Sequence, residues 1–456
     1  LPQEPGGYNG YMGLFGHKNT APQISPNGPM TDLNGNVIQD TSGHIGFPGF
    51  DGMSAAVSLS YIAAMQEHNV PVTYAYISDA HDAHPNGPAF GPGQAGYVAT
   101  LKAYDDAFGK FFARLAKDGI NSSNTLFVFT ADEGDHFVGG APSPANCDGV
   151  TIPCTYSNIG EINTNMTGLL ATQQHITTPF TVHADDAPTV YLTGNPARDA
   201  AVTRTFERGA AALTATNPIT GNTDTITNFM ADPVEMKLLH MVTADPARTP
   251  TFTLFANPDY FLFTSTPDCT RPCVAENPAF AWNHGDVSPD ITTTWLGLVG
   301  PGVRHIGVNN SVWADHTDVR PTIMELLGLQ DDYSHDGRVL FEVLTPGALP
   351  PVVRANFDFF VRLAQVYKQI NAPVGQLGMK TLQISTQALE SNSANDATYT
   401  QLENTLQTIT NQRNAIAGQI IALLESVEFG QHGHLAPHLA QPNTTLLNQA
   451  RALIQD

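Results

Sequence analysis

A chain of 456 residues that sets 20 Lys and Arg against 42 Asp and Glu has a formal net charge of −22. A surface so acidic repels phosphate backbones and offers no basic face to an anionic membrane, which excludes nucleic acid as a partner. The length exceeds the roughly 250 to 300 residues that one hydrophobic core serves, so more than one unit is expected, and no apolar run reaches the ~18 residues of a membrane span.

Residues 1–53 are rich in Gly, Pro and Asn without periodicity and read as an irregular segment laid on a body. From Ser54 order begins: SAAVSLSYIAAMQEHN predicts a helix, and VPVTYAYIS (Val70 to Ser78) a buried strand. Over 94–117, Tyr97, Val98, Leu101, Tyr104, Phe108, Phe111, Phe112 and Leu115 fall on one helical face, and TLFVFTAD (Thr125 to Asp132) is a second strand. Strand-like runs follow at Ala187 to Gly194, Thr251 to Ala256, Asp259 to Phe263 and Thr292 to Gly300, with a helix beginning near Asp318 and Pro321. This alternation predicts an α/β domain over 54–345, a three-layer sandwich around a mostly parallel central sheet.

The region 346–456 differs in kind. Leu402, Leu406, Ile409, Ile416, Ile420, Leu423 and Val427 keep a three-four spacing interrupted by Arg413, and Val374, Leu377 and Ile384 continue a similar seam upstream of the polar turn Glu390 to Asp396. An antiparallel helical hairpin is predicted, packed on the body or self-associating with a neighbouring chain, with a last helix from about Asn443.

The four cysteines form two local pairs, Cys147 with Cys154 and Cys269 with Cys273, at separations that match no common zinc spacing. Two disulfides imply an oxidising compartment, so the expected location is secreted, extracellular or periplasmic.

Functional side chains in open α/β sheets collect beyond the carboxyl ends of strands. The first such end carries Asp79, His81, Asp82 and His84; the second carries Asp132, Glu133, Asp135 and His136. A third cluster, WNHGDVSPD, places His284 beside Gly285 and Asp286 before another strand. Carboxylate oxygen and imidazole nitrogen suit a divalent cation able to polarise a phosphoryl oxygen. Taken singly, each cluster is as readily a set of caps and turn residues; together they favour a metal site. Asp318 before Pro321 reads as a helix start, and His432, His434 and His438 sit in a Gly- and Pro-broken loop that reads as solvated.

The order of these motifs, Asp79 and His84, TLFVFTAD with Glu133, Gly134 and Asp135, then NHGD, WLGLVGPGV, DHTDVRPTIMELLGL and DGRVL, resembles the carboxy-terminal portion of alkaline phosphatase superfamily phosphoesterases and sulfatases. The resemblance implies a metal-dependent hydrolase of phosphoric esters, a phosphatase or phosphodiesterase acting on a small-molecule or lipid-headgroup ester. It implies one ion, zinc-like or else calcium, magnesium or manganese, on Asp79, His84 and His284, and another on Asp132. Glu133 replaces the family's usual His, leaving Glu133 and His136 as additional ligands of the second ion, and the longer Asp79 to His84 spacing keeps His81 and Asp82 open for the first. No nucleophile is identified: Ser54 after Asp51 reads as a helix N-cap. The resemblance therefore implies an amino-terminal segment outside this sequence, as a separate chain or otherwise, that completes the site. The rival expectation is an inactive secreted scaffold that keeps the fold.

Overall fold

The computed structural model describes residues 24–49, 52–82, 87–330, 333–428 and 444–455. They divide into two compact units. The first takes in the described residues up to Thr125 with Phe137–Glu161 and Glu276–Asn283; the second takes in Leu126–His136, Ile162–Ala275 and the described residues from His284 onward.

In the first unit the helices Ala55–Glu67 and Ala95–Lys117 pack together. Arg114 clamps them with a two-pronged ion pair to Glu67, both bonds 2.7 Å. Phe111 and Leu115 of the predicted apolar stripe are buried, while Leu101 and Phe112 face solvent. Val70 to Ser78 corrects the sequence reading more sharply. The segment is extended, but no ladder forms on it among the described residues, and Val72 and Tyr74 are 75% and 90% exposed. Alternating β-branched and aromatic residues favour a pleated conformation, but only hydrogen bonding to a neighbour makes a strand. The segment's end is instead tied down by the Ser78 N–H on the Met53 carbonyl and the Tyr104 hydroxyl on the Ser78 carbonyl. Cys147 and Cys154 are disulfide-bonded.

The second unit overturns the mostly parallel sheet. Its largest sheet has the order Phe180–His183, Thr189–Leu192, Phe252–Ala256, Thr227–Ala231, each strand antiparallel to the next. TLFVFTAD pairs antiparallel with the run before Gly300, Phe127 opposite Val299 and Thr130 opposite Leu296. Ile162 to Asn165 runs parallel to Tyr260 to Phe263. The physical reason lies in the connections: residues 184–188 between the first two strands are too few for a parallel crossover, which takes about a dozen or more. Phe206, on the helix Ala201–Ala211, meets Phe180 and Phe252 with ring centroids 4.8 and 6.0 Å away and fixes that helix to the sheet. Cys269 and Cys273 form the second disulfide, so all four cysteines are paired.

Helices Phe357–Asn371, Gln376–Glu390, Ala397–Val427 and Thr444–Gln455 surround a core that includes Phe360, Leu363, Tyr367, Ile420, Leu424 and Leu446. The middle two are the expected hairpin. Leu382 packs with Ala231, Met236 and Phe255, so the hairpin covers the sheet of its own unit. No helix among the described residues is long and apolar enough to cross a membrane.

One buried acid in this region gives a pH-dependent stability. Glu428, 4% exposed, accepts from the Val339 N–H at 3.3 Å through one oxygen, and the other has no hydrogen-bond partner among the described residues. Burial pushes its carboxyl up from 4.5 to about 8, opposed by the Val339 N–H and Arg338 and reinforced by Glu325 and Glu425. The folded state therefore holds a proton that the unfolded state releases, and this group's contribution to stability declines as pH rises from 4.5 toward 8. Glu428→Gln, neutral and of the same shape, is expected to raise the melting temperature at pH 8 by about 1 to 2 °C per kcal/mol relieved and to change it little at pH 5. Equal shifts at both pH values in thermal melts would contradict the assignment.

Candidate metal centre

The end of the strand Phe127–Thr130 is pinned before the chain turns. The Thr130 hydroxyl donates to the Trp295 carbonyl at 2.8 Å, and the His316 imidazole bonds the Ala131 carbonyl at 2.8 Å. The following turn, Glu133, Gly134 and Asp135, presses on the short helix Pro289–Thr292. A Cβ on Gly134 would lie 2.3 Å from the Ile291 carbonyl oxygen, so only glycine permits the approach. Its two flanking carboxylates then converge on one imidazole: His284 Nδ1 lies 3.3 Å from Glu133 Oε1 and 3.2 Å from Asp135 Oδ1, and the three ligand atoms all lie within 4.8 Å of one another.

Two carboxylates and an imidazole are a donor set that zinc, manganese or iron accepts. The observed 3.2 and 3.3 Å separations match an edge of a coordination polyhedron with bonds of about 2.1 Å. The residues therefore fit a divalent cation. Glu133 and His284 are 45% exposed, which leaves the group open to an incoming ligand. In the absence of such a cation the imidazole itself balances the charge: the Asp135 hydrogen bond foremost, with the Glu133, Asp135 and Asp185 charges, pushes His284 up to about 9 against its burial.

His136 plays a different part. Its Nδ1 is 2.6 Å from Asp290 Oδ2 and its Nε2 3.0 Å from Asp259 Oδ1, so both ring nitrogens are engaged by carboxylates. Burial disfavours the imidazolium, but the two hydrogen bonds outweigh it and the His136 pKa is raised. The ring ties the Glu133 to Asp135 turn to the Pro289–Thr292 helix and to the strand Tyr260–Phe263.

Gly285, at φ +90°, brings a second set of acids alongside. A Cβ there would meet the Asp185 carboxylate at 3.1 Å. Asp286 is 6% exposed and Asp186 1% exposed. Burial, then the Asp286 and Asp185 charges, push Asp186 up to about 9; burial pushes Asp286 up to about 6 against the Ser288 and Val287 N–H groups.

The sequence-predicted residues thus fare unequally. Glu133, Asp135 and His284 come together; Asp132, the expected ligand of the second ion, is exposed and outside the group. Asp79, His81 and Asp82 belong to the other unit, where His81 stacks on Trp282 with centroids 5.2 Å apart, and His84 lies outside the described residues, as do His432, His434 and His438. Asp318 is a capping residue, in a reciprocal box with Asp315. Asp185 and Asp186, which follow the strand Phe180–His183, were not singled out in the sequence. No protein-family model and no curated protein matches the chain.

Proposed function

We propose that this chain holds a divalent cation on Glu133, Asp135 and His284 and takes part in the hydrolysis of phosphoric esters outside the cytoplasm. The convergence of three ligand-type atoms within 4.8 Å at an open strand end is the observation that carries the reading. The ester class rests on the motif order that resembles alkaline phosphatase superfamily enzymes, now without support from the sheet topology. Two disulfides and the acidic surface fit export.

Such a cation supplies Lewis-acid polarisation of a phosphoryl oxygen and a more acidic bound water. The chain's own contribution is positional. Glu133 and Asp135 are set by the Gly134 contact, and His136 braces the turn through Asp259 and Asp290. The exposed side of Glu133 and His284 leaves room for a phosphoester, with a small molecule or lipid headgroup as its leaving part.

Equilibrium dialysis against zinc and against manganese, followed by assay with p-nitrophenyl phosphate and its bis ester, tests both halves. Wild type is expected to retain a cation and to hydrolyse one ester in proportion to loading, and Glu133→Gln/Asp135→Asn to lose both. Undiminished binding in the double variant would refute the site; cation binding without turnover of either ester would refute the catalytic role.

A further inference from the structure

We propose that the carboxy-terminal helices bind a small oxyanion, a molecule bearing a phosphate or carboxylate group, in a hollow that Arg362 and Arg451 both line. The hollow has a volume of about 350 Å³ and lies among the helices Phe357–Asn371, Gln376–Glu390 and Thr444–Gln455, which pack on one another. Its size falls at the lower end of the roughly 300 to 1,000 Å³ of small-molecule pockets. Arg362, Gln365 and Gln369 recur at helical spacing and share one face of the first helix; Arg451 and Gln455, one turn apart, share a face of the last. Val366, 7% exposed, adds apolar wall between these polar groups.

The charge of this hollow is opposite to that of the chain. Acidic residues outnumber basic ones 42 to 20, yet among the described residues both charged side chains that line the hollow are arginines. Neither guanidinium has a hydrogen-bond or ion-pair partner among the described residues, although Asp358 stands one turn before Arg362 on the same helix. Arg114, Arg198, Arg208 and Arg338, by contrast, are each paired with a carboxylate. Glu342, which accepts from Gln365 Nε2 at 3.1 Å, is already neutralised by Arg338 at 2.7 and 3.0 Å, and Lys380 Nζ, on the Ile454 carbonyl, brings a third cation to the edge. Guanidinium groups stay charged and their forked donors match the oxygens of carboxylate or phosphate, so two unpaired ones at one hollow repel each other until an anion lies between them. Amides complete the lining: Gln369 Oε1 accepts from the Gln376 N–H at 3.4 Å, which leaves its NH2 group as a donor. The inference needs neither the cation at His284 nor the hydrolytic reading.

The competing account is a pair of solvated arginines that bind nothing. Glucose 6-phosphate, succinate and glucose, each titrated by calorimetry into the chelator-treated full chain, separate the two for wild type, Arg362→Gln, Arg451→Gln and Arg271→Gln. Arg271 is exposed and unpaired among the described residues like the other two, but it lies in the loop closed by Cys269 and Cys273, so its variant removes the same charge elsewhere. Wild type and Arg271→Gln are expected to bind one equivalent of glucose 6-phosphate, of succinate or of either, and no glucose; the anion that binds distinguishes a phosphate from a carboxylate ligand. Arg362→Gln and Arg451→Gln are each expected to bind that anion about 10-fold or more weakly, the loss of a charge-assisted hydrogen bond, with unchanged melting temperatures because both side chains are exposed. Absence of binding of both anions to wild type at millimolar concentration, equal affinity for glucose, wild-type affinity in both Arg362→Gln and Arg451→Gln, or the same loss in Arg271→Gln would overturn the proposal.

Discussion

Arg204→Met is expected to destabilise the protein by about 3 to 5 kcal/mol, the range found when one partner of a buried ion pair is removed. Arg204 is fully buried on the helix Ala201–Ala211 and pairs with Glu207, also fully buried. Its Nη2 donates to the Ala388 carbonyl at 3.0 Å, and its guanidinium lies 3.9 Å from the centre of the Tyr399 ring. One side chain thus ties the helix to both arms of the carboxy-terminal hairpin. Without it Glu207, whose carboxyl burial already pushes up to about 8, is left with the charge of Arg208, the Tyr399 face with Arg198 at 5.9 Å, and the Ala388 carbonyl with the Ser391 donors alone. Arg204→Met/Glu207→Leu removes the stranded acid as well and is expected to recover much of the loss, so a double-mutant cycle in urea gives a large coupling energy. A loss below about 1 kcal/mol in the single variant would show that the pair is dispensable.

The same hairpin shows how far a sequence reading reaches. The three-four period over the long helix is legible, but its phase is not. The fully buried seam runs Glu403, Leu406, Thr410, Arg413, Ala417, Ile420, Leu424 and Val427, while Ile409, Ile416 and Leu423 flank it partly buried. Arg413 reads as an interruption because, beside its neighbour Asn414, its partners come from elsewhere in the chain, the Asn371 and Lys237 carbonyls and His240. Glu403 is likewise buried only because Arg198 reaches it from a distant segment. A local pattern that treats charge as exposed cannot anticipate either. Strand direction fails for a related reason: apolar runs identify Phe252–Ala256 and Thr189–Leu192, but whether neighbours run parallel depends on connections, and Val70 to Ser78 has the composition of a strand without a ladder. The site was half legible. Glu133, Asp135 and His284 are chemically conspicuous at strand ends, whereas Asp186 earns attention only once its burial is known.

Gly134→Ala is expected to weaken cation binding at Glu133, Asp135 and His284 by about 10- to 100-fold, the usual cost of disturbing what orients metal ligands. The added Cβ would lie 2.3 Å from the Ile291 carbonyl oxygen and 2.7 Å from that of Asp290. Both obstacles are backbone, so no rotamer change relieves them, and either the Glu133 to Asp135 turn or the Pro289–Thr292 helix must move. The first movement separates the two carboxylates from His284 Nδ1; the second carries Asp290 away from His136 and loosens the brace on the turn. The overpacking itself costs about 1 to 3 kcal/mol, small enough for the variant to be examined folded. Gly109→Ala is the matched control: it lies inside the helix Ala95–Lys117 with nothing within 4 Å of an added Cβ, and is expected to leave affinity unchanged and stability up to about 1 kcal/mol higher. Zinc titrations of the two variants decide the matter. Wild-type affinity in Gly134→Ala would mean that the turn does not set the ligands and that the convergence on His284 is not a binding geometry.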